Sequence, residues 1–151
     1  MKNKPPRGYA AIALDHPKNN INVGSVLRAA DTYGASLVIT SGNRYKKVPT
    51  DTMKAFKRIP LLVANDVMDF IPYDCVPVAV DLIEGAQSLV DYVHPERAFY
   101  IFGPEDGTLG KRVTDRCRDI VFVPTNGCMN LAATVNVVLY DRMAKTIKNK
   151  A

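Results

Sequence analysis

Six short apolar runs recur along the chain: residues 9–15 (YAAIALD), 36–40 (SLVIT), 59–64 (IPLLVA), 76–83 (VPVAVDLI), 98–103 (AFYIFG) and 119–125 (DIVFVPT). None alternates strictly between apolar and polar positions. Strands of that kind are buried on both faces, which predicts a mainly parallel sheet flanked by helices. Between the runs the period changes. In residues 23–34 (VGSVLRAADTYG), Val23, Val26, Leu27 and Ala30 fall at i, i+3, i+4 and i+7, giving a helix with one apolar face. Asn22 is placed to cap its start and Gly34 to stop it. Residues 110–119 (GKRVTDRCRD) form a weaker, basic helix candidate. Residues 130–150 read as a long helix, apolar round most of its circumference as far as Tyr140 and charged beyond. Such a helix needs cover on more than one side, deep in the fold or at a subunit interface. Strands alternating with helices in 151 residues predict one α/β domain spanning 1–151.

Charge adds a candidate partner. The chain carries 20 Lys and Arg against 15 Asp and Glu, a net charge of +5, which favours a polyanion. The excess is concentrated in residues 44–58 (RYKKVPTDTMKAFKR), where Arg44, Lys46, Lys47, Lys54, Lys57 and Arg58 face a single acid, Asp51, with Tyr45 and Phe56 interleaved. Cations beside stacking aromatics suit single-stranded or loop RNA; a solvated loop and helix face accounts for the charge run equally well. Lys2, Lys4 and Arg7 at one end, and Lys145, Lys148 and Lys150 at the other, read as solubilising tails, with Arg7 a further RNA-binding candidate. Three cysteines without C-x-x-C spacing and two distant histidines give neither a disulfide framework nor a metal site. No apolar run is long enough to span a bilayer and no leader is evident, so the expected location is cytoplasmic.

Several common α/β chemistries are missing. No G-x-G-x-x-G follows the first strand, and there is no P-loop and no G-x-S-x-G elbow. Three loops that follow apolar runs carry the polar residues instead. The first, NNINVGSVLR at 19–28, holds Asn22, Gly24 and Arg28; a plain cap and a surface ion pair explain the pair as readily as chemistry does. The second, FGPEDGTLG at 102–110, sets Glu105 in a glycine-rich turn at a strand end, where α/β proteins bind ligands. The third, VPTNGCMNLAAT at 123–134, packs Asn126, Gly127, Cys128 and Asn130 into a few residues before the last helix.

Taken in order, N-x-G-x-x-x-R (Asn22, Gly24, Arg28), F-G-P-E-x-x-x-L-G (Phe102 to Gly110) and V-P…C-M-N-L (Val123 to Leu131) resemble the three motifs of the SpoU/TrmH branch of SPOUT methyltransferases. That branch transfers a methyl group from S-adenosylmethionine to a ribose 2′-hydroxyl of tRNA or rRNA. The likeness covers essentially the whole chain and is most similar to the minimal single-domain members that act on tRNA. It implies a C-terminal deep trefoil knot holding the cofactor, a homodimer packed through helices, and no metal. Gly103, Val123 and Met129 match cofactor positions, as does Val80 at the end of the fourth strand. Cys128, also in the cofactor loop, stands where many members have serine. Asn22, Glu105 and Asn130 match polar active-site positions, and Arg28 matches the arginine proposed to activate the ribose hydroxyl. A guanidinium is too basic to be a simple proton acceptor, so Arg28 is expected to stabilise developing negative charge and Glu105 to brace Arg28 or the loops.

Overall fold

The structure, a computed structural model, describes residues 8–42 and 58–150. Its elements follow in chain order: β1 (Tyr9–Leu14), α1 (Asn20–Tyr33), β2 (Leu37–Ser41), β3 (Leu61–Ala64), β4 (Val76–Val80), β5 (Gln87–Ser88), β6 (Arg97–Phe102), α2 (Lys111–Thr114), β7 (Asp119–Phe122) and α3 (Leu131–Lys150). The seven strands form one sheet in the order β3-β2-β1-β6-β4-β7-β5, and every neighbouring pair is parallel. In the centre, Ala11, Ile12, Ala13 and Leu14 lie beside Phe99, Tyr100, Ile101 and Phe102.

Both faces of this centre are buried, as the lack of alternation requires. Ile12, Leu14, Val78, Tyr100 and Phe102 point toward α1 and α3, packing with Val23, Leu27, Val135 and Leu139. Ala11, Ala13, Ala79, Phe99 and Ile101 face the other way, onto Met68, Leu109 and Val113. The helical face expected from Val23, Val26, Leu27 and Ala30 is the buried one.

The elements are trimmed where local chemistry intervenes. β3 starts at Leu61, after Pro60, which has no N–H for a ladder. β4 stops at Val80 because the Asp81 carboxylate takes the Leu82 N–H at 2.8 Å and turns the chain. The 110–119 helix contracts to Lys111–Thr114. Asn22 does not cap α1: the helix begins at Asn20, and the Asn19 side chain accepts the Ile21 N–H at 2.8 Å, leaving Asn22 inside the first turns and buried. Gly34 ends the helix as expected, at φ 75°.

Among the described residues, α3 is covered mainly on one side. Leu131, Ala132, Val135, Val138 and Leu139 are buried, whereas Val137, Tyr140 and Ile147 are exposed by 37%, 55% and 62%. Its distal half is fastened by a polar network beneath it. Asp141 takes the His94 Nε2 proton at 2.6 Å, so His94 Nδ1 accepts from the Tyr100 hydroxyl at 2.7 Å, and Arg142 donates to that same hydroxyl oxygen at 3.1 Å. Arg142 also reaches the Pro95 and Glu96 carbonyls. Lys145 is no solubilising tail: its Nζ donates to the Leu89 and Tyr92 carbonyls and pairs with Asp141 at 2.8 Å.

Every member of that network is satisfied only while His94 is neutral. A second ring proton would confront the Tyr100 hydroxyl, which then has nothing to donate to. Burial accordingly lowers the His94 pKa, with Asp141 opposing the shift, and burial raises that of Tyr100 to about 12. The sign follows: because the folded value lies below the ordinary value of about 6.5, stability contributed by neutral His94 is present above that pH and drains as pH falls below it. The melting temperature is therefore expected to fall between pH 7.5 and 5.5, and His94→Gln to flatten that slope, as measured by thermal denaturation across the range.

Candidate active site

The carboxyl ends of β4, β6 and β7 lie side by side, and the loops leaving them surround an open cleft of about 990 Å³. Val80 and Asp81 contribute from β4, Phe102 and Gly103 from β6, and Phe122 and Val123 from β7. This is the edge at which parallel sheets bind ligands. Gly103 matters here for contact: a Cβ on it would lie 3.2 Å from the Leu109 nitrogen and 3.3 Å from Leu109 Cγ. The loop therefore folds back on its own start, with backbone against backbone at the cleft wall.

Eight of the nine catalytic and cofactor candidates line this one cleft. Asn22, Glu105 and Asn130 bring polar groups, and Val80, Gly103, Val123, Cys128 and Met129 contribute to the wall. Asn130 does two jobs: its Oδ1 accepts the Ala132 and Ala133 N–H groups at 2.9 and 3.2 Å, capping α3, and its Nδ2 donates to Asn22 Oδ1 at 2.9 Å. The first and third loops are thereby joined across 108 residues of sequence. Glu105 Oε2 accepts the Lys18 N–H at 2.9 Å. It braces the first loop against the second, and makes no contact with Arg28.

Arg28 is the exception. It is exposed on α1 and lines a separate polar groove between α1 and α3 with Ser25, Thr32 and Asn136. Among the described residues its guanidinium has no hydrogen bond or ion pair. Of the basic set, Arg7, Arg44, Lys46, Lys47, Lys54 and Lys57 lie outside the described residues. Arg58 is described and is engaged: its guanidinium grips Asp31 with contacts of 2.6 to 3.1 Å, holding that carboxyl below its ordinary pKa.

Asp81 is a site residue that sequence reasoning missed. Its N–H donates to the Val121 carbonyl at 2.9 Å, and its Oδ2 accepts the Leu109 N–H at 2.8 Å. One residue thus ties β4 to β7 through its backbone and to the Glu105 loop through its side chain. The signal was faint: a single acid within the apolar run 76–83, with nothing to say which distant amide it meets.

Residues 9–140 match the SpoU rRNA Methylase family. The chain belongs to this family. Among solved structures, the SpoU methyltransferase AviRb from Streptomyces viridochromogenes superposes with a TM-score of 0.83 at 21% identity, over 95% of this chain and 62% of that one; AviRb is also described in complex with the cofactor AdoMet. A protein described under "Structural insights into the 2-OH methylation of C/U34 on tRNA" gives 0.81 at 21% identity, over 95% of this chain and 99% of that one. The A. aeolicus TrmH/SpoU tRNA modifying enzyme gives 0.82 at 15% identity, over 96% and 79%. At such identities the likeness is one of fold. The chain spans about three-fifths of the length of AviRb, and no curated protein matches it in sequence.

The expected parallel sheet is present, with seven strands and a cleft at its carboxyl edge. The cleft geometry makes a specific claim about Asn130. Asn130→Ala removes the cap of α3 and the bond to Asn22 together, and is expected to cost about 1–3 kcal/mol of stability, whereas Asn22→Ala removes only the latter and costs about 1 kcal/mol. Chemical denaturation of both variants and the double variant checks the shared bond, because the double variant must cost less than the sum.

Proposed function

We propose that this protein transfers a methyl group from S-adenosylmethionine to a ribose 2′-hydroxyl of RNA, with tRNA the favoured substrate, and that it does so as a homodimer. The observation that carries this reading is the convergence of all three motif loops on one cleft at the ends of β4, β6 and β7.

The residues present suit the cofactor. The missing Cβ at Gly103 lets the loop close back on itself and form the cleft wall, and Val80, Phe102, Val123 and Met129 offer apolar surface for a purine. Cys128 adds a small, weakly polar side chain in the position many relatives give to serine. The AdoMet complex of AviRb supports the same assignment by likeness of fold, and the proposal includes the knotted C-terminal arrangement that family membership implies. Bound there, the cofactor would supply an electrophilic methyl to the ribose oxygen, with the thioether as leaving group and the hydroxyl proton passing to water or a neighbouring phosphate.

Arg28 serves to stabilise the oxygen as charge develops on it. Its position outside the cleft of its own chain is consistent with a site completed by a second copy. The exposed apolar residues of α3, Val137 and Tyr140, lie on the helix that borders the Arg28 groove, so a partner docked on α1 and α3 covers them and carries Arg28 to the partner's cleft. The preference for tRNA rests on the protein linked to methylation at position 34 of tRNA, 99% of whose length this chain covers.

Incubation with methyl-labelled S-adenosylmethionine and separated tRNA and rRNA, then alkaline digestion, tests the chemistry: label in an alkali-resistant dinucleotide from tRNA is expected, and alkali-labile or absent label rejects it. Mixing Arg28→Ala with Gly103→Val subunits tests the shared site. Each is expected to be inactive alone, and random reassociation to restore about a quarter of normal turnover; no recovery rejects the composite site.

A further inference from the structure

A second polar cluster lies at the same edge of the sheet, beyond β1 and β2, and none of the three motif loops accounts for it. Asp15 follows β1 and Ser41 ends β2; both are buried, with exposures of 7% and 0%. Between them sits His16, whose ring is about half exposed. Its backbone is held at φ 53°, a left-handed conformation that costs a side-chain-bearing residue free energy. Its N–H donates to Ser41 Oγ at 3.0 Å, and its Nδ1 lies 3.2 Å from Asp15 Oδ1 and 3.4 Å from Ser41 Oγ. The flat side of the ring is closed by Gly42, where a Cβ would come within 2.9 Å of His16 Cδ2.

The fold does not need this imidazole. Asp15 keeps Arg112, whose Nη2 is 2.8 Å from Oδ1 and whose Nη1 pairs with Asp66 at 2.6 Å. Ser41 keeps the backbone N–H of residue 16 and its own bond to Asp15. With the ring removed, each buried polar group still has a partner. A strained backbone and a missing Cβ at Gly42 therefore serve to hold a half-exposed ring in one orientation, which is the mark of a side chain kept for a ligand. The arrangement is no nucleophile relay, since the hydroxyl and the carboxylate meet the same ring nitrogen and Ser41 is fully buried.

Orientation fixes the chemistry. Asp15 only accepts, so Nδ1 carries the proton and Nε2 is left as an acceptor; among the described residues nothing bonds to it. The ring stands beside the cleft without lining it, on a segment that runs on into it. Asp15 N–H donates to the Phe102 carbonyl, one residue before Gly103, and Lys18, two residues after His16, lines the cleft and is held by Glu105. We infer that His16 is a substrate-contacting residue, whose Nε2 accepts a hydrogen bond from the 2′-hydroxyl of a nucleotide flanking the one in the cleft. RNA presents that donor at each nucleotide and DNA lacks it, so the contact makes the site read ribose beyond the target sugar. This inference rests on the proposed RNA-directed site and concerns binding, not methyl transfer.

The test is fluorescence anisotropy with an RNA hairpin and the same hairpin carrying 2′-deoxy loop nucleotides. Wild-type protein is expected to favour the ribose loop by about three- to tenfold. His16→Gly, which suits the left-handed backbone, is expected to lose that preference while melting at the same or a higher temperature and binding S-adenosylmethionine within about twofold of normal. His16→Asn, also tolerant of the left-handed region, serves as the second variant. An unchanged preference in both variants, no ribose preference in the wild type, or a marked drop in melting temperature for His16→Gly would each overturn the inference. Loss of methyl transfer with the binding pattern intact would instead count against the proposed function alone.

Discussion

The burial of both faces of an all-parallel sheet governs the rest of this structure. Once β1, β4 and β6 are apolar on both sides, helices must cover one face and the α2 region the other, so every connection between neighbouring strands runs over the outside. All strands then point their carboxyl ends to one edge. The loops that leave β4, β6 and β7 have nowhere else to go, and residues separated by most of the chain become neighbours there.

What keeps that edge in shape is a small number of hydrogen bonds between side chains and distant backbone. Asp81 holds Leu109, Glu105 holds Lys18, and Asn130 both starts α3 and grips Asn22. Each bond links two loops, so the cleft is braced as a ring of contacts and not loop by loop. At the opposite end of α3, Arg142, His94 and Lys145 fasten the helix to the loops before β6. Apolar packing alone would let a helix this greasy slide; polar contacts at both ends fix its register.

Function follows from what the chain leaves open. The cleft has its own polar and apolar walls, yet Arg28 lies outside it on α1, beside a strip of α3 that stays largely exposed although Tyr140 meets the Tyr33 ring edge to face. On the composite site proposed above, the two halves of a reaction centre lie on different surfaces of one subunit, and the contact that hides Val137 and Tyr140 is the one that brings a guanidinium to a neighbouring cleft.

The apolar runs by themselves determined the parallel α/β sheet, because a strand without alternation has no solvent face, and the order of the N-x-G-x-x-x-R, F-G-P-E and C-M-N-L segments determined the family. Local chemistry was also legible in the stop at Gly34. Only the tertiary structure decided that Asn22 faces Asn130 instead of capping α1, that Arg58 is spent on Asp31, that Lys145 is a latch, and that Asp81 and His16 belong to the working edge. The physical reason is the same for each: a polar side chain is defined by its partner, and in a parallel sheet the partner arrives from a strand dozens of residues away, through a crossover that no local pattern records.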